Sequence, residues 1–346
     1  MVASSLSAGA LYAKCRAMYA KRLTEAQFAE MAAMTELSEI CSYLKNRDAY
    51  SEAFYETSAA HGMSIARFGA LMKKALLLRE ERMLRYAALS DSGIEKYFAL
   101  RNEVEIITER ASVMGAAGII SSGYLYLPES AEKKLCFRVS EIENAKDARQ
   151  LAKALSKTPY GKIISAASGK KQSFVHIQNA LYKYLFERTA DIVKENFGGA
   201  KRREILGFLS ELSDITTLSE LYRIKKYYPD NPLMTLHAFK SDLSSLGEKD
   251  FERLCAATDT SKLEELFLKT KTGRLLYGIR DKDNLEKCAV YALCRKTLAF
   301  TDNPFVCAIC FDELMRAECA NVVTVAGGAA SGLEPEKIMS LLVKER

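Results

Sequence analysis

The residues of this chain whose types and spacing most suggest metal binding or reactivity are its cysteines. Cys307 and Cys310 are spaced as Cys-x-x-Cys, and Cys288, Cys294 and Cys319 lie nearby in the sequence. Structural zinc sites usually combine two such pairs, or one pair with histidines at fixed spacing. Here a single pair lies within a helical pattern, and the three histidines are distant. We therefore predict buried free thiols and no metal site.

Other motifs that could bind a ligand or perform catalysis are incomplete. His61, His176 and His237 lie in unrelated contexts, and none has a neighbouring nucleophile or a second histidine one helical turn away. Residues 169–171 lack the upstream glycine and the following serine or threonine of a phosphate-binding loop. Residues 328–332 begin and end with glycine, but no predicted strand precedes them as a dinucleotide fingerprint requires. The sequence predicts no catalytic residue and no cofactor.

A polar pair near the end of the chain is spaced for a contact on one helix face. Glu318 and Asn321 are three residues apart on a predicted helix, and valines follow on the same face. A weaker form occurs earlier, where Asp214 and Thr217 form the pair. Each acid could contact a partner protein, or pair with an Arg or Lys inside the helical bundle. The apolar residues beside each acid favour the internal pairing.

The elements that position these pairs recur along the chain. Residues 246–254 match residues 23–31 in register. Residues 158–161 recur at 270–273 with the same threonine and glycine. The middle copy fits at half the shift of the last one, so the repeat is about 110 residues long. A repeat of this length indicates one helical unit that is used three times. Thr158, Tyr160 and their counterparts are interpreted as helix-end turns that fix the geometry of the unit.

Composition and the positions of helix breakers predict the fold class. Six prolines, no tryptophan and no convincing strand alternation favour long helices, so the chain is predicted to be all-α. A glycine-containing stretch that ends at Pro128, and the segment 227–232, interrupt the helical pattern. We therefore predict three pseudo-equivalent helical bundles, at residues 1–120, 121–230 and 231–346.

Capping signals and periodicity predict individual helices. Thr24 and Gln27 have the spacing of a capping box, and Thr35 or Ser38 is expected to open the next helix. Long helices are predicted over about 64–88, 93–113 and 174–196. The residues expected on the solvent face of the first long helix are Lys73, Arg79, Glu80 and Arg82.

The net charge and the cysteines limit which cellular compartment and which binding partners are expected. The net charge of +6 is compatible with an acidic partner or an anionic lipid but requires neither. Arg223 and Lys225, and the run 201–203, are basic, but no RNA-binding motif accompanies them, so nucleic acid is not expected. No signal peptide or membrane span is recognisable, and nine scattered cysteines are typical of reduced thiols. We expect a cytosolic protein.

Several stretches together resemble one family. The opening segment from Tyr12 through Arg16 to Phe28, the stretch Leu155-Ser-Lys-Thr158-Pro-Tyr160, and the helices that carry Asp214 and Glu318 match its pattern. So do the glycines after the last long helix and the Pro-Glu-x-Ile that follows them. Over essentially its full length, the chain resembles the C-type subunit of the archaeal and bacterial A/V-type rotary ATPases, which corresponds to the d-type subunit of the eukaryotic V-type ATPase.

The resemblance implies a fold and a role. The fold is a funnel of three helical bundles about a pseudo-threefold axis. The role is a non-catalytic socket of the central stalk, which couples rotor shaft subunits of the D/F type to the membrane c-ring during proton or sodium transport. It also implies a peripheral position on the cytoplasmic face of the membrane. The candidate interface or structural residues are Arg16, Thr158, Tyr160, Asp214, Arg223, Lys225, Glu318 and Asn321.

Some positions depart from the family pattern, and two other functions compete with the socket. Arg47 stands where the first unit would carry threonine, and Thr217 and Val323 replace the usual Asn and basic residue. The helix around Glu103 aligns poorly with its two counterparts. The first alternative function is a free-standing helical scaffold that binds other cytosolic proteins. The second is an all-helical enzyme, for which the sequence offers no residues to build a site.

Overall fold

The protein is all-α in the part of the chain that the structure describes. A computed structural model describes residues 2–55, 63–87, 92–114, 129–168, 174–229 and 240–344, which contain helices and no strand. The helices are α1 Val2–Ala20, α2 Glu25–Ala32, α3 Leu37–Lys45, α4 Ser51–Phe54, α5 Ile65–Ala87, α6 Ser92–Val113, α7 Glu129–Glu132, α8 Val139–Glu143, α9 Ala148–Ala154, α10 Pro159–Ala167, α11 Phe174–Asn196, α12 Gly199–Tyr227, α13 Glu248–Cys255, α14 Thr260–Phe267, α15 Lys271–Gly278, α16 Leu285–Phe300, α17 Pro304–Ala330 and α18 Pro335–Ser340.

The first helix starts follow from local side-chain chemistry. The predicted capping box of α2 is confirmed: the Gln27 N–H donates to Thr24 Oγ1 at 3.3 Å, and the Thr24 N–H donates to Gln27 Oε1 at 2.9 Å. The expectation that Thr35 or Ser38 opens the next helix is wrong. Glu36 is the N-cap of α3, and the Glu39 carboxylate accepts the Glu36 N–H, so the acid three residues ahead determines the start.

The long helices lie where periodicity predicts them, but one solvent face was predicted wrongly. Helices α5, α6 and α11 agree with the predicted ranges to within one residue at each end. On α5, Arg79 and Glu80 are only 3% and 5% exposed, whereas both were expected in solvent. Helix α5 packs against α1, α4 and α17, so more than one of its faces is covered.

Helix α17 is buried along most of its length and has defined signals at both ends. Asn303 caps its start, since the Asn303 Oδ1 accepts the N–H groups of Phe305 and Val306 at 3.1 and 3.4 Å. Its end is a Schellman motif, in which Gly332 adopts φ +68° and the Leu333 N–H reaches the Gly328 carbonyl at 3.0 Å. The predicted glycine stop is confirmed, as is the short helix that opens at Pro335.

The chain divides into two compact units. Unit 1 comprises Met1–Glu95, Ile120–Lys134 and Tyr291–Glu345, and unit 2 comprises Lys96–Ile119 and Leu135–Val290, with Arg346. In unit 1, α17 packs against α1, α2, α3, α5 and α18. In unit 2, α12 packs against α11, α14 and α15, and α10 packs against α9 and α11. The division into three sequence repeats stays a prediction.

Two glycines of the recurring turn permit close backbone approaches in unit 2. A Cβ atom on Gly161 of α10 would lie 2.7 Å from the Leu155 carbonyl oxygen and 2.9 Å from that of Ala152. A Cβ atom on Gly273 of α15 would collide with the Phe267 carbonyl oxygen in the same way. These obstacles are backbone atoms, which cannot rotate away. The predicted role of this turn in fixing local geometry therefore has a steric basis.

We predict that Gly161→Ala lowers the free energy of unfolding by roughly 1–3 kcal/mol, because the added methyl group must displace backbone. Gly207→Ala is the matched control, since Gly207 lies within α12 and nothing comes within 4 Å of its added Cβ atom. There the higher helix propensity of alanine should stabilise the protein by about 0.5–1 kcal/mol. Chemical denaturation of both variants measures the difference, and equal effects would contradict the steric explanation.

Candidate functional site: buried carboxylates on the long helices

The Glu318 carboxylate joins three segments of unit 1 to α17. It accepts the Leu23 N–H at 3.0 Å and the Tyr50 hydroxyl at 2.5 Å, and it pairs with Arg79 Nη1 at 3.1 Å. The Arg79 guanidinium also lies 4.2 Å from the centre of the Tyr50 ring. The predicted internal pairing of Glu318 with a cation is confirmed. Its partner comes from α5, and the same carboxylate also holds the turn before α2 and the residue before α4.

Burial determines the protonation state of the Tyr50 hydroxyl in this cluster. Desolvation, and then the charge of Glu318, raise the pKa of Tyr50 well above its ordinary value. The Tyr50 hydroxyl therefore stays protonated and acts as a donor. Because Arg79 and Glu318 are 3% and 6% exposed, neither charge has water as an alternative partner. Removing either member of this ion pair would leave the other charge buried without a partner, which strongly destabilises a folded protein.

A second ion pair connects the same two helices in the opposite sense. Glu80 of α5 lies 3.8 Å from Arg316 of α17, and the Arg316 Nε donates to Asp312 at 2.6 Å. Helix α5 thus presents a cation followed by an acid, and α17 presents a cation and an acid that complement them. This reciprocal arrangement fixes the axial register of α5 against α17.

Glu103 of α6 has the corresponding place in unit 2. Its carboxylate accepts the Cys136 N–H at 2.6 Å and the Tyr160 hydroxyl at 2.6 Å. Burial, and then Glu103, raise the pKa of Tyr160, so this hydroxyl is also a donor. Sequence reasoning missed Glu103 because the residue three positions later is Ile106 and not a polar residue. Its distance from Asp214, one repeat length, was the available signal.

Asp214 of α12 makes a third cluster with different partners. Its carboxylate accepts the Ser244 and Ser245 hydroxyl groups and, at 3.2 Å, the Ser245 N–H. The predicted pairing of Asp214 with an Arg or Lys is wrong, because serine donors occupy both of its oxygens. Desolvation raises the pKa of Asp214, while the hydrogen bonds from the serines oppose that shift. Asp214, whose side chain is one methylene shorter than that of glutamate, thus accepts hydrogen bonds from serines, whose side chains are shorter than those of tyrosine and arginine.

The three clusters share one element of geometry. Each carboxylate accepts a backbone N–H from a turn that precedes a short helix: Leu23 before α2, Cys136 before α8 and Ser245 before α13. In each case the acid belongs to a long helix. The oxygens are occupied by protein donors, so these carboxylates attach turns to long helices.

Arg16 and Asn321, the other predicted residues of unit 1, have structural partners. Arg16 Nη2 donates to the Leu298 and Ala299 carbonyls at 3.2 and 2.7 Å, where it neutralises the negative C-terminal end of α16. Asn321 holds the chain terminus: its amide donates to the Val343 carbonyl and accepts the Val343 N–H, both at 2.8 Å. Glu318 and Asn321 therefore anchor different segments from one face of α17.

Three other predicted residues of unit 2 comprise two partly buried side chains, Thr158 and Lys225, and one exposed side chain, Arg223. The Thr158 hydroxyl donates to the Leu155 carbonyl at 2.8 Å in the turn before α10. Lys225 Nζ donates to the Cys255 carbonyl at 2.9 Å. Arg223 pairs with Glu220 but keeps 48% of its side chain exposed. Tyr227 and Tyr228, at the end of the same helix, are also about half exposed.

The cysteines form no cluster that binds metal among the described residues. Cys307 and Cys310 are fully buried in α17, as predicted for free thiols, and Cys288, Cys294 and Cys319 are buried as well. Cys15 of α1 lies against Cys307, whose hydrogen bond, together with burial, raises the pKa of Cys15. No group of three or more His, Cys, Asp or Glu side chains in the described ranges has the geometry of a metal site.

We predict that Arg79→Met destabilises the protein by about 3–5 kcal/mol, because it leaves the Glu318 charge buried without its cation. Arg82→Met on the same helix is the matched control. Arg82 pairs with Glu52, but these side chains are 36% and 54% exposed, so the expected cost is below about 1 kcal/mol. Urea denaturation measures both. A similar small effect at the two positions would show that the buried pair has no special weight.

Comparison with known proteins gives one finding for this chain. The model of the family described as ATP synthase (C/AC39) subunit matches residues 11–341. No curated protein matches the chain at a significant level. No helix in the described residues is both long and apolar enough to cross a membrane. Because the match extends over nearly the whole chain, this protein belongs to the ATP synthase (C/AC39) subunit family and is a subunit of an A/V-type ATPase.

Proposed function

We propose that the chain is the non-catalytic socket of the central stalk, which receives the foot of the D/F-type rotor shaft and rests on the membrane c-ring. The family match over residues 11–341 is the observation that supports this role. In this proposal the three helical repeats form a funnel, and the protein lies on the cytoplasmic face of the membrane through the ATPase complex. Its task is to transmit torque to ion transport.

The packing of the long helices suits a part that must carry torque without yielding. Torque is lost wherever helices slide against one another. In unit 1, the reciprocal pairs Arg79–Glu318 and Glu80–Arg316 oppose sliding of α5 along α17. In unit 2, Glu103 holds Tyr160 and Asp214 holds the serines at 244 and 245. Close packing around such fixed contacts gives a stiff body.

The exposed end of α12 is the candidate contact with the shaft in unit 2. Arg223, Tyr227 and Tyr228 are each about half exposed there. Arginine and tyrosine are enriched among the residues that contribute most to protein interfaces. Lys225, by contrast, is committed to the Cys255 carbonyl and serves the packing of α12. The same exposed group would suit a free-standing scaffold, which is the second candidate function.

We predict that native mass spectrometry of the complex, purified in mild detergent from its own cells, finds this chain in a one-to-one ratio with a long coiled-coil shaft protein, together with a membrane ring. The socket requires both interfaces at once, so both partners should co-purify. A chain that is found free, or only with unrelated soluble proteins, would exclude the socket and favour the scaffold.

We further predict that Arg223→Glu weakens binding of the purified shaft proteins about tenfold at low salt, and less at high salt, because it reverses a charge at the interface. Arg253→Glu is the matched control: Arg253 is 67% exposed and likewise pairs with an acid three residues earlier, Asp250, but it lies on α13. Isothermal titration calorimetry measures both. Equal affinities for the two variants would exclude the end of α12 as the contact.

A further inference from the structure

Unit 1 contains a cleft that is lined by basic residues and is separate from the buried carboxylate cluster of Glu318. Its volume is about 570 Å³, within the range of small-ligand sites. The cleft lies beside the turn between α1 and α2, the second half of α16 and the tail of the chain. Arg22, Arg295 and Lys344 line it, together with the apolar side chains of Phe28, Met339 and Leu342. The cleft therefore combines cations with an apolar surface.

The charges of this cleft favour an anion. Three cations line it and Glu25 is the one lining acid, at 3.6 Å from Lys344. Among the charged lining residues, cations therefore outnumber acids by three to one. Arg22 is oriented in advance, because its guanidinium stacks 4.3 Å from the centre of the Tyr19 ring and donates to the Tyr19 carbonyl. Planar guanidinium groups bind phosphate oxygens through paired hydrogen bonds.

The buried Tyr19 hydroxyl lies behind the cleft residue Tyr291 and is influenced by both arginines. Burial, and then Tyr291, raise the pKa of Tyr19 to about 12, while the charges of Arg22 and Arg295 oppose the shift. The Tyr19 hydroxyl is thus a protonated donor at neutral pH. It interacts with the side chain of Tyr291, a residue that lines the cleft.

The tail of the chain holds one wall of the cleft in place before any ligand binds. Asn321 fixes Val343 through two hydrogen bonds of 2.8 Å, and the next residue is Lys344. Ile338 of α18 is fully buried, which keeps the neighbouring Met339 at the cleft. A wall that is already ordered reduces the entropy lost on binding.

We propose that this cleft binds the headgroup of an acidic phospholipid, with the phosphate between Arg22 and Arg295 and the apolar part of the lipid against Phe28, Met339 and Leu342. The apolar side chains favour a lipid over a free phosphate ion, which would gain nothing from them. The choice of a lipid rests on the proposed function, because that function brings the chain to a membrane surface.

The test uses the full-length chain and vesicles of phosphatidylcholine with or without phosphatidylglycerol, measured by co-sedimentation. We expect binding only with phosphatidylglycerol, and a loss of about tenfold or more in the double variant Arg22→Gln/Arg295→Gln, since each basic residue near the lipid contributes severalfold. Lys201→Gln/Arg203→Gln, on exposed positions of α12 in unit 2, removes the same net charge and should retain binding within about twofold.

A third variant distinguishes binding of the whole lipid from binding of its phosphate alone. Met339→Ser should weaken binding to vesicles but leave the phosphorus NMR line broadening of inorganic phosphate unchanged, because the methionine contacts only the apolar part. Phosphate binding without preference for acidic vesicles would overturn the lipid assignment. So would an equal loss in the two charge variants, which would indicate diffuse attraction to the net positive charge.

Two further outcomes distinguish this inference from the proposed function. A photo-crosslinker at Tyr291 that captures an acidic segment of another ATPase component, in a protein that does not bind vesicles, would replace the lipid with a peptide. Failure of vesicle binding in a chain that still forms the one-to-one complex with the shaft would overturn the lipid site alone. Loss of that complex with intact vesicle binding would overturn the socket alone.

Discussion

A carboxylate that is buried inside a helical bundle must find donors there, and this requirement organises unit 1 around Glu318. Its partners are the Arg79 guanidinium, the Tyr50 hydroxyl and the Leu23 N–H. These groups come from three separate segments near the start of the chain, while Glu318 lies near its end. Satisfying one acid therefore brings together residues almost 300 positions apart. The rest of the unit packs around that contact.

The same physical demand is met with different chemistry in unit 2. Glu103 uses a tyrosine and a backbone N–H but has no arginine partner corresponding to Arg79 among its described contacts. Asp214 uses two serines and a backbone N–H. The feature common to all three is the backbone N–H of a turn, which any residue can supply except proline. Side-chain partners can therefore change while the attachment of turn to long helix persists.

These attachments commit the three buried acids to contacts inside the protein. The carboxylates of Glu103, Asp214 and Glu318 accept hydrogen bonds from donors within the protein. The described cysteines are mostly buried thiols. Exposed side chains occur at the end of α12, and further polar side chains line the cleft of unit 1. Both combine arginine and tyrosine, so both suit recognition. The proposed socket needs this combination of a rigid interior and exposed binding surfaces.

The sequence by itself determined the helix class, the ends of α5, α6 and α11, the capping box at Thr24 and the glycine stop at Gly332, and it pointed to the family. These features depend on neighbours within a few residues, or on a pattern shared along the whole chain. Only the tertiary structure decided that Arg79 and Glu80 are buried and that Glu103 is equivalent to Asp214 and Glu318. Periodicity marks the apolar face of a helix, but it cannot show that a second face is covered by a helix more than 200 residues away. A charged side chain there is buried only because its counter-charge arrives with that helix.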